Sequence, residues 1–516
     1  TDPPAQVQFT LFESGQPVPN DQVNWVAAPE ELGTVEGGRF VSTGEVGVGT
    51  VLAEYRGIST TARVEVVVTE DVVLGDVTPE EIAGLEGAAD GGAGCAPEWV
   101  YPEAATVIPA NLIGLELQWR ARGHDTFRVS IDVGGTVVRW FTDQPRLTPE
   151  GEAWARVMGR ASGQTMQITL TGFGGQGAQA CSSAPLPVEV DRSRIVGAVY
   201  YWSTSDSGIM RLAAGETAPE PLLNPITAPT INCPACHALS RDGTRIAFTR
   251  TTFPPFGDLA TSLIDEPTNL LYDPAGVANY FPAFAPDNVR LVAGGAGQLI
   301  IRNSDTGAEL DRLPNLDNTV AGQPDWSWQT DKIVGVVGPG GLSNPLPDAG
   351  VTGGSLYLWE SVDGTWMDPR PLTLRPNDQR WLDRPAFSPE GTFVAYNSVG
   401  EGGGQGMGNA NVDLEIIRVD GGNPVPLTRA NGGAFNGNSW PKWSPTDRRG
   451  RLWLAFSSLR AYGDRLGPGE RPQIWVTAID PNAEPGEDPS APAFWLPYQS
   501  LRSGNHIPYW AAYTKE

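Results

Sequence analysis

One short phrase recurs from about residue 195 to the end of the chain, and a repeat of this kind restricts the fold more than any single motif. Its instances are Ala238-Leu239-Ser240-Arg241-Asp242-Gly243, Ala283-Phe284-Ala285-Pro286-Asp287-Asn288, Asp325-Trp326-Ser327-Trp328, Ala386-Phe387-Ser388-Pro389-Glu390-Gly391 and Lys442-Trp443-Ser444-Pro445-Thr446-Asp447. Most lead into a run with strand character, such as Arg245-Ile246-Ala247-Phe248-Thr249 or Phe393-Val394-Ala395-Tyr396-Asn397. The spacing, roughly 40 to 60 residues, is that of one four-stranded propeller blade. Composition agrees: the chain is rich in Gly, Pro and Trp, and its apolar runs are short and bounded by turn residues, which describes an all-β protein.

These phrases resemble the W-S-P-D-G-x-x-I-A-F signature of TolB-like (PD40, WD40-like) β-propellers, over about residues 195 to 516. The resemblance implies that each phrase is the turn joining the innermost strand of a blade to the next strand. The last instance, Ile507-Pro508-Tyr509-Trp510-Ala511, stands near the end of the chain without three following strands. Its partners are expected at the start of the region, in Gly197-Ala198-Val199-Tyr200-Tyr201-Trp202 and Gly208-Ile209-Met210-Arg211-Leu212. Joining the two ends closes the ring without an open sheet edge. Counting that composite blade, the expectation over residues 192–516 is a six-bladed propeller closed by its N- and C-terminal strands.

The N-terminal part also reads as β. Residues 1–70 hold period-two runs such as Val7-Gln8-Phe9-Thr10-Leu11 and Ala62-Arg63-Val64-Glu65-Val66, and with Trp25 they resemble bacterial Ig-like (BIG-type) domains, which implies a spacer or adhesion module. Residues 71–94 are acidic and rich in Gly and Ala, and read as a linker. Residues 95–191 carry several short strands, a tryptophan and two cysteines, which suits a second Ig-like or fibronectin-like sandwich. Cys95 and Cys181 bracket that segment and read as a disulfide in an oxidising compartment. His124, between Gly123 and Asp125, is expected in an exposed turn with no special role.

The strongest chemical motif is Cys233-Pro234-Ala235-Cys236-His237, a C-x-x-C-H sequence in a chain with four cysteines and three histidines. It is the attachment signal of a c-type haem: each thiol adds to one vinyl group and the histidine ligates the iron. A C-x-x-C disulfide or half of a zinc site are the other readings, the latter lacking a second ligand pair nearby. Aligned on the signature serine, His237 stands where the other blades carry Pro282, Pro324, Pro385, Pro441 and Pro508. His506 precedes the last of these by two residues, so both histidines are expected at one end of the channel, facing one iron. Met407, in a glycine-rich loop, is the alternative sixth ligand, while Met210 reads as core.

A net charge of −25 argues against a nucleic-acid partner and against docking on anionic lipid. No run of 18 apolar residues suggests a transmembrane helix, and Thr1-Asp2-Pro3-Pro4 does not resemble a signal peptide. The expected function is electron transfer or redox sensing by an exported monohaem c-type cytochrome, working at the cell surface with a redox partner protein or a neighbouring cytochrome subunit, as a homo-oligomer or filament if haems are to touch. A surface binding or scaffold protein and a haem peroxidase are the alternatives. The many acidic turns leave Ca²⁺ binding open.

Overall fold

The structure, a computed structural model, describes residues 5–174, 179–227, 231, 235–249, 259–272, 280–295, 297–339, 354–376, 380–400, 409–434, 436–445 and 450–512; at residues 235, 236 and 280 it describes the backbone alone. Thr1–Trp99 with Glu116–Val190 form one compact unit, and Val100–Leu115 with Asp191–Glu516 form another. Strands dominate both. Among the described residues α-helix is confined to Pro79–Gly87, Gly151–Ala161 and Thr428–Asn431, and no helix is long and apolar enough to cross a membrane.

Period-two alternation decides the N-terminal strands. Gly47–Tyr55 turns Val51 and Ala53 inward and pairs antiparallel with Asn24–Ala28 and Ile58–Val66. Gln6–Gln8, Arg39–Ser42 and Gly33–Glu36 make a second sheet, and Phe40, Leu32, Val51 and Val64 share one core. Residues 71–94, expected as a linker, are ordered into elements. Val68–Val73 joins the following sheet by parallel pairing with Thr136–Thr142, and Pro79–Gly87 is helical. The helix start is written in Thr78-Pro79-Glu80-Glu81. Pro79 takes the first helical position, Glu81 N donates to Thr78 Oγ1 at 3.3 Å, and Thr78 N donates to Glu81 Oε2 at 2.7 Å. Cys95 and Cys181 are disulfide-bonded. His124 is half-buried rather than exposed, because its Nε2 meets the Cys95 carbonyl at 2.9 Å.

In the second unit six antiparallel sheets have innermost strands Ala235–Leu239, Tyr280–Phe284, Thr319–Trp326, Trp381–Phe387, Ser439–Trp443 and Asn505–Ala511. Each neighbours the next and the sixth neighbours the first, so they surround one axis as a six-bladed propeller. The sixth blade is composite. Asn505–Ala511 pairs antiparallel with Ala198–Ser203, in the register Ala198 to Ala511, Tyr200 to Tyr509 and Ser203 to Asn505. Tyr200, Ile209, Leu239, Phe248 and Tyr509 form one buried cluster between this blade and the first.

The repeated phrase is a turn. Ser240 N donates to Arg245 O and Ser388 N to Phe393 O, each at 2.9 Å, and each serine Oγ accepts from the residue that starts the next strand. Gly243 and Gly391 hold the left-handed corner at φ of 72° and 70°, and Asn288 takes it in the second blade at 62°.

Ring closure depends on Gly197, just before the strand that meets the C-terminal one. Its φ is 74°, and a Cβ there would lie 1.8 Å from the Ala511 carbonyl oxygen. Gly215, at φ 90°, has open space around it. Gly215→Ala is expected to lower the unfolding free energy by about 1 kcal/mol through the backbone alone. Gly197→Ala is expected to lower it by about 3 kcal/mol or more, because the clash adds to the strain. Urea titrations followed by tryptophan fluorescence measure both, and equal losses would refute the role of clearance.

Candidate functional site at the channel mouth

The innermost strands break register at corresponding places. Pairing skips between Ala235 and Ala238, Tyr280 and Ala283, Gly322 and Asp325, Asp383 and Ala386, and Ser439 and Lys442. In the sixth blade the skip lies between Tyr200 and Trp202 of the facing strand. Five of these bulges contain a proline, whose missing N–H suits an unpaired position. The residue before each proline is a non-glycine with left-handed backbone: Phe281, Gln323, Arg384, Trp440 and Ile507, at φ of 51°, 51°, 54°, 59° and 55°. Such a conformation costs about 1–3 kcal/mol and persists only where the surroundings hold it. At three of the five positions side chains of the preceding blade do so. Arg384 N donates to Gln323 Oε1 at 3.0 Å, Trp440 N to Asn397 Oδ1 at 3.1 Å, and Ile507 N to Ser457 Oγ at 3.0 Å.

These bulges converge on a cavity of about 40 Å³ bounded by all six blades, with His237, Phe281, Gln323, Arg384, Trp440 and Tyr509 among its walls. Arg384 is buried between two rings, its guanidinium carbon 3.8 Å from the Phe281 centroid and 4.0 Å from that of Trp440. A desolvated cation on two aromatic faces is a strong form of this contact.

A charged layer belongs to the same mouth. Buried Asp325 pairs with Arg241 at 3.3 Å and with Lys442 at 3.6 Å, and its Oδ2 accepts from Phe387 N at 2.8 Å. Lys442 also lies 5.0 Å from the Tyr509 ring, and Arg241 4.6 Å from that of Trp328. Burial pulls the Lys442 ammonium below its ordinary pKa, while Asp325 opposes the shift and Arg241 and Arg384 add to it. Burial raises the Asp383 carboxyl, against the pull of Arg384, and pushes the Tyr509 phenol up to about 12. His237 is 4% exposed, and neither ring nitrogen makes a hydrogen bond of normal geometry. Its burial lowers the imidazole to about 3, the Tyr200 backbone offsetting this only in part.

The expected haem site does not take shape around His237. Cys233 and Met407 lie outside the described residues, and of Cys236 only the backbone is described. His237 does line the axis, but the space it faces is about 40 Å³ and is walled by the Arg384 sandwich. Pockets that enclose whole cofactors run to about 300–1,000 Å³. His506 is not among the walls of that cavity; it stays in the strand ladder opposite Trp202, half-buried, with Nδ1 unpartnered and the ring lowered to about 4 by burial. Among the described residues no group of three or more His, Cys, Asp or Glu side chains could hold a metal ion. The monohaem cytochrome reading is corrected on these grounds. What the motif-based reading missed is the ring of pre-proline residues. Their signal was present, one position before each aligned proline, but their types differ from blade to blade.

No family model matches the chain, and no curated protein matches it. Solved structures with a similar fold include TolB from Acinetobacter baumannii, at 13% identity and a TM-score of 0.42, covering 80% of this chain and 99% of that one. A TolB-type protein from Agrobacterium tumefaciens aligns at 17% identity and a TM-score of 0.34, over 48% of this chain and 84% of its own. An oligogalacturonate lyase from Vibrio parahaemolyticus aligns at 15% and 0.32, over 47% and 61%. The six-bladed architecture stands on the strand pairing described above.

Buried, neutral His237 makes stability depend on acid. Its folded pKa, about 3, lies below the ordinary value near 6.5, so between these pH values the unfolded chain binds a proton that the native state does not. Its contribution is intact above pH about 6.5 and is lost as pH falls toward 3, at up to about 1.4 kcal/mol per pH unit. His506 shifts the same way, with a smaller effect because it retains some exposure. In urea titrations from pH 7 to 4, His237→Asn is expected to flatten the acid slope by close to one proton. An unchanged slope would contradict its burial in the neutral form.

Proposed function

We propose that the chain is an exported, ligand-binding propeller that takes one chemical group of its ligand into the mouth of the axial channel. The two N-terminal β modules serve in this reading as Ig-like spacers. One observation carries it: five non-glycine residues hold strained backbone at matching positions of five blades, around a cavity bordered by an imidazole whose ring nitrogens make no hydrogen bond of normal geometry. Strain and orphaned polar atoms both concentrate where a surface is shaped for recognition rather than for stability. The groups in the mouth are those of a receptor, namely cations, aromatic faces and a neutral imidazole. A local cluster of cations in a chain of net charge −25 also concentrates field lines at that point. The Cys95–Cys181 disulfide suits an oxidising compartment, which supports export.

A larger cleft of about 300 Å³ lies at the rim between the fourth and fifth blades, against Phe393, Arg418 and Glu484. Among the described residues, none of the buried polar atoms without a partner belongs to it. A crystallographic soak with acetate, imidazole, methylguanidinium and glucuronate tests the choice. At least one fragment is expected in the mouth, and Trp440→Ala, which removes one face of the sandwich, is expected to abolish its density. Fragments seated only in the rim cleft would refute the reading.

A further inference from the structure

We infer that the group received in the mouth is an aliphatic hydroxyl; this rests on the binding role proposed above and names its ligand chemistry. Two side chains from different blades, Trp440 and His237, line the cavity and carry buried polar atoms without a partner. Trp440 is 6% exposed and its indole Nε1 makes no hydrogen bond. His237 is 4% exposed and makes none of normal geometry through either ring nitrogen. An indole N–H only donates, so the atom that meets it must accept. Burial keeps the imidazole neutral, with one donor and one acceptor nitrogen. The Tyr200 backbone offsets that effect in part, as a carbonyl facing a ring N–H does. The ring proton therefore belongs on the side of that carbonyl, and the other nitrogen is a bare acceptor. The group that meets it must donate.

A hydroxyl oxygen accepts from the indole and donates to the imidazole with a single atom. A carboxylate or an ether does not donate, and an ammonium does not accept. Space narrows the choice further. The cavity, about 40 Å³, has room for roughly three water positions, hence for a hydroxyl, the carbon that bears it and little more. Pro282, Pro385, Pro441 and Ile507 are also in its wall, which suits an aliphatic carbon. The indole is held in place by the Arg384 guanidinium on one face, 4.0 Å from the ring centroid, so its N–H edge keeps one direction. A buried N–H that no partner meets is costly, and a ligand that satisfies it gains accordingly. The hydroxymethyl group of a hexose or a simple diol has the required size and chemistry.

Ligand-observed NMR titrations at pH 7 test the inference with two pairs of probes. One is methyl glucoside beside the analogue whose hydroxymethyl is a methyl, the other ethylene glycol beside its dimethyl ether. In at least one pair the hydroxyl compound is expected to bind roughly tenfold or more tightly than its partner. The pair that shows this identifies the source, a sugar or a simple diol. Trp440→Phe keeps an aromatic ring against Arg384 and removes the indole N–H, and it is expected to erase most of the preference. Should that variant lose its circular-dichroism spectrum, His237→Phe carries the same readout. A crystal soaked with the preferred compound is expected to show its oxygen at Trp440 and His237. Equal binding within both pairs, a preference that survives both substitutions, or ordered water alone in the soaked mouth would each overturn the hydroxyl assignment. Imidazole or methylguanidinium seated in the mouth would in those cases leave the binding role standing. Failure of every probe to enter the mouth would overturn both readings.

Discussion

One antiparallel pairing, between Asn505–Ala511 and Ala198–Ser203, makes the second unit a ring. It joins strands separated by roughly 300 residues, for which loop closure alone costs about 5 kcal/mol. The hydrogen-bonded register, the shared buried cluster of Tyr200 and Tyr509, and the Ser203–Ser503 hydroxyl contact at 2.7 Å oppose that cost. Without the pairing, two sheet edges would stand open. The cavity also depends on it, because Ile507 and Tyr509 reach the axis from the closing strand.

Closure brings six bulges to one end of the axis, and the blades then constrain each other there. Gln323 holds the Arg384 backbone, Asn397 that of Trp440, and Ser457 that of Ile507. These three left-handed residues are thus fixed by the blade before them, so this part of the mouth is a property of the ring and not of any one sheet. Burial then gives the charges their weight. Asp325, Arg241 and Lys442 lie where screening by water and salt is weak, so their balance matters more than any of the exposed ion pairs.

Much of the propeller was legible in the chain because its repeat has a local cause. A serine that satisfies the backbone at a turn, followed by a residue able to take the left-handed corner, recurs at Ser240 with Gly243 and at Ser388 with Gly391. The composite blade followed from counting strands, and the Cys95–Cys181 bond from there being one cysteine pair in a β segment. The linker reading of residues 71–94 weighed glycine content above the Thr78-Pro79-Glu80-Glu81 start signal, and the structure has a helix there. The haem reading relied on a five-residue motif and a blade alignment. The alignment placed His237 on the axis correctly, but it could not report how much space six neighbouring side chains leave.

The sequence by itself determined the strand repeat and the turn chemistry, since these rest on contacts between residues close together in the chain, and the number of blades followed from counting the repeats with the two ends joined. The content of the channel mouth was decided only by the tertiary structure. Phe281, Arg384 and Trp440 come from three blades and carry no common residue type, so their stacking has no signature in one dimension. It exists because ring closure brings six separate strand bulges within side-chain reach of one axis.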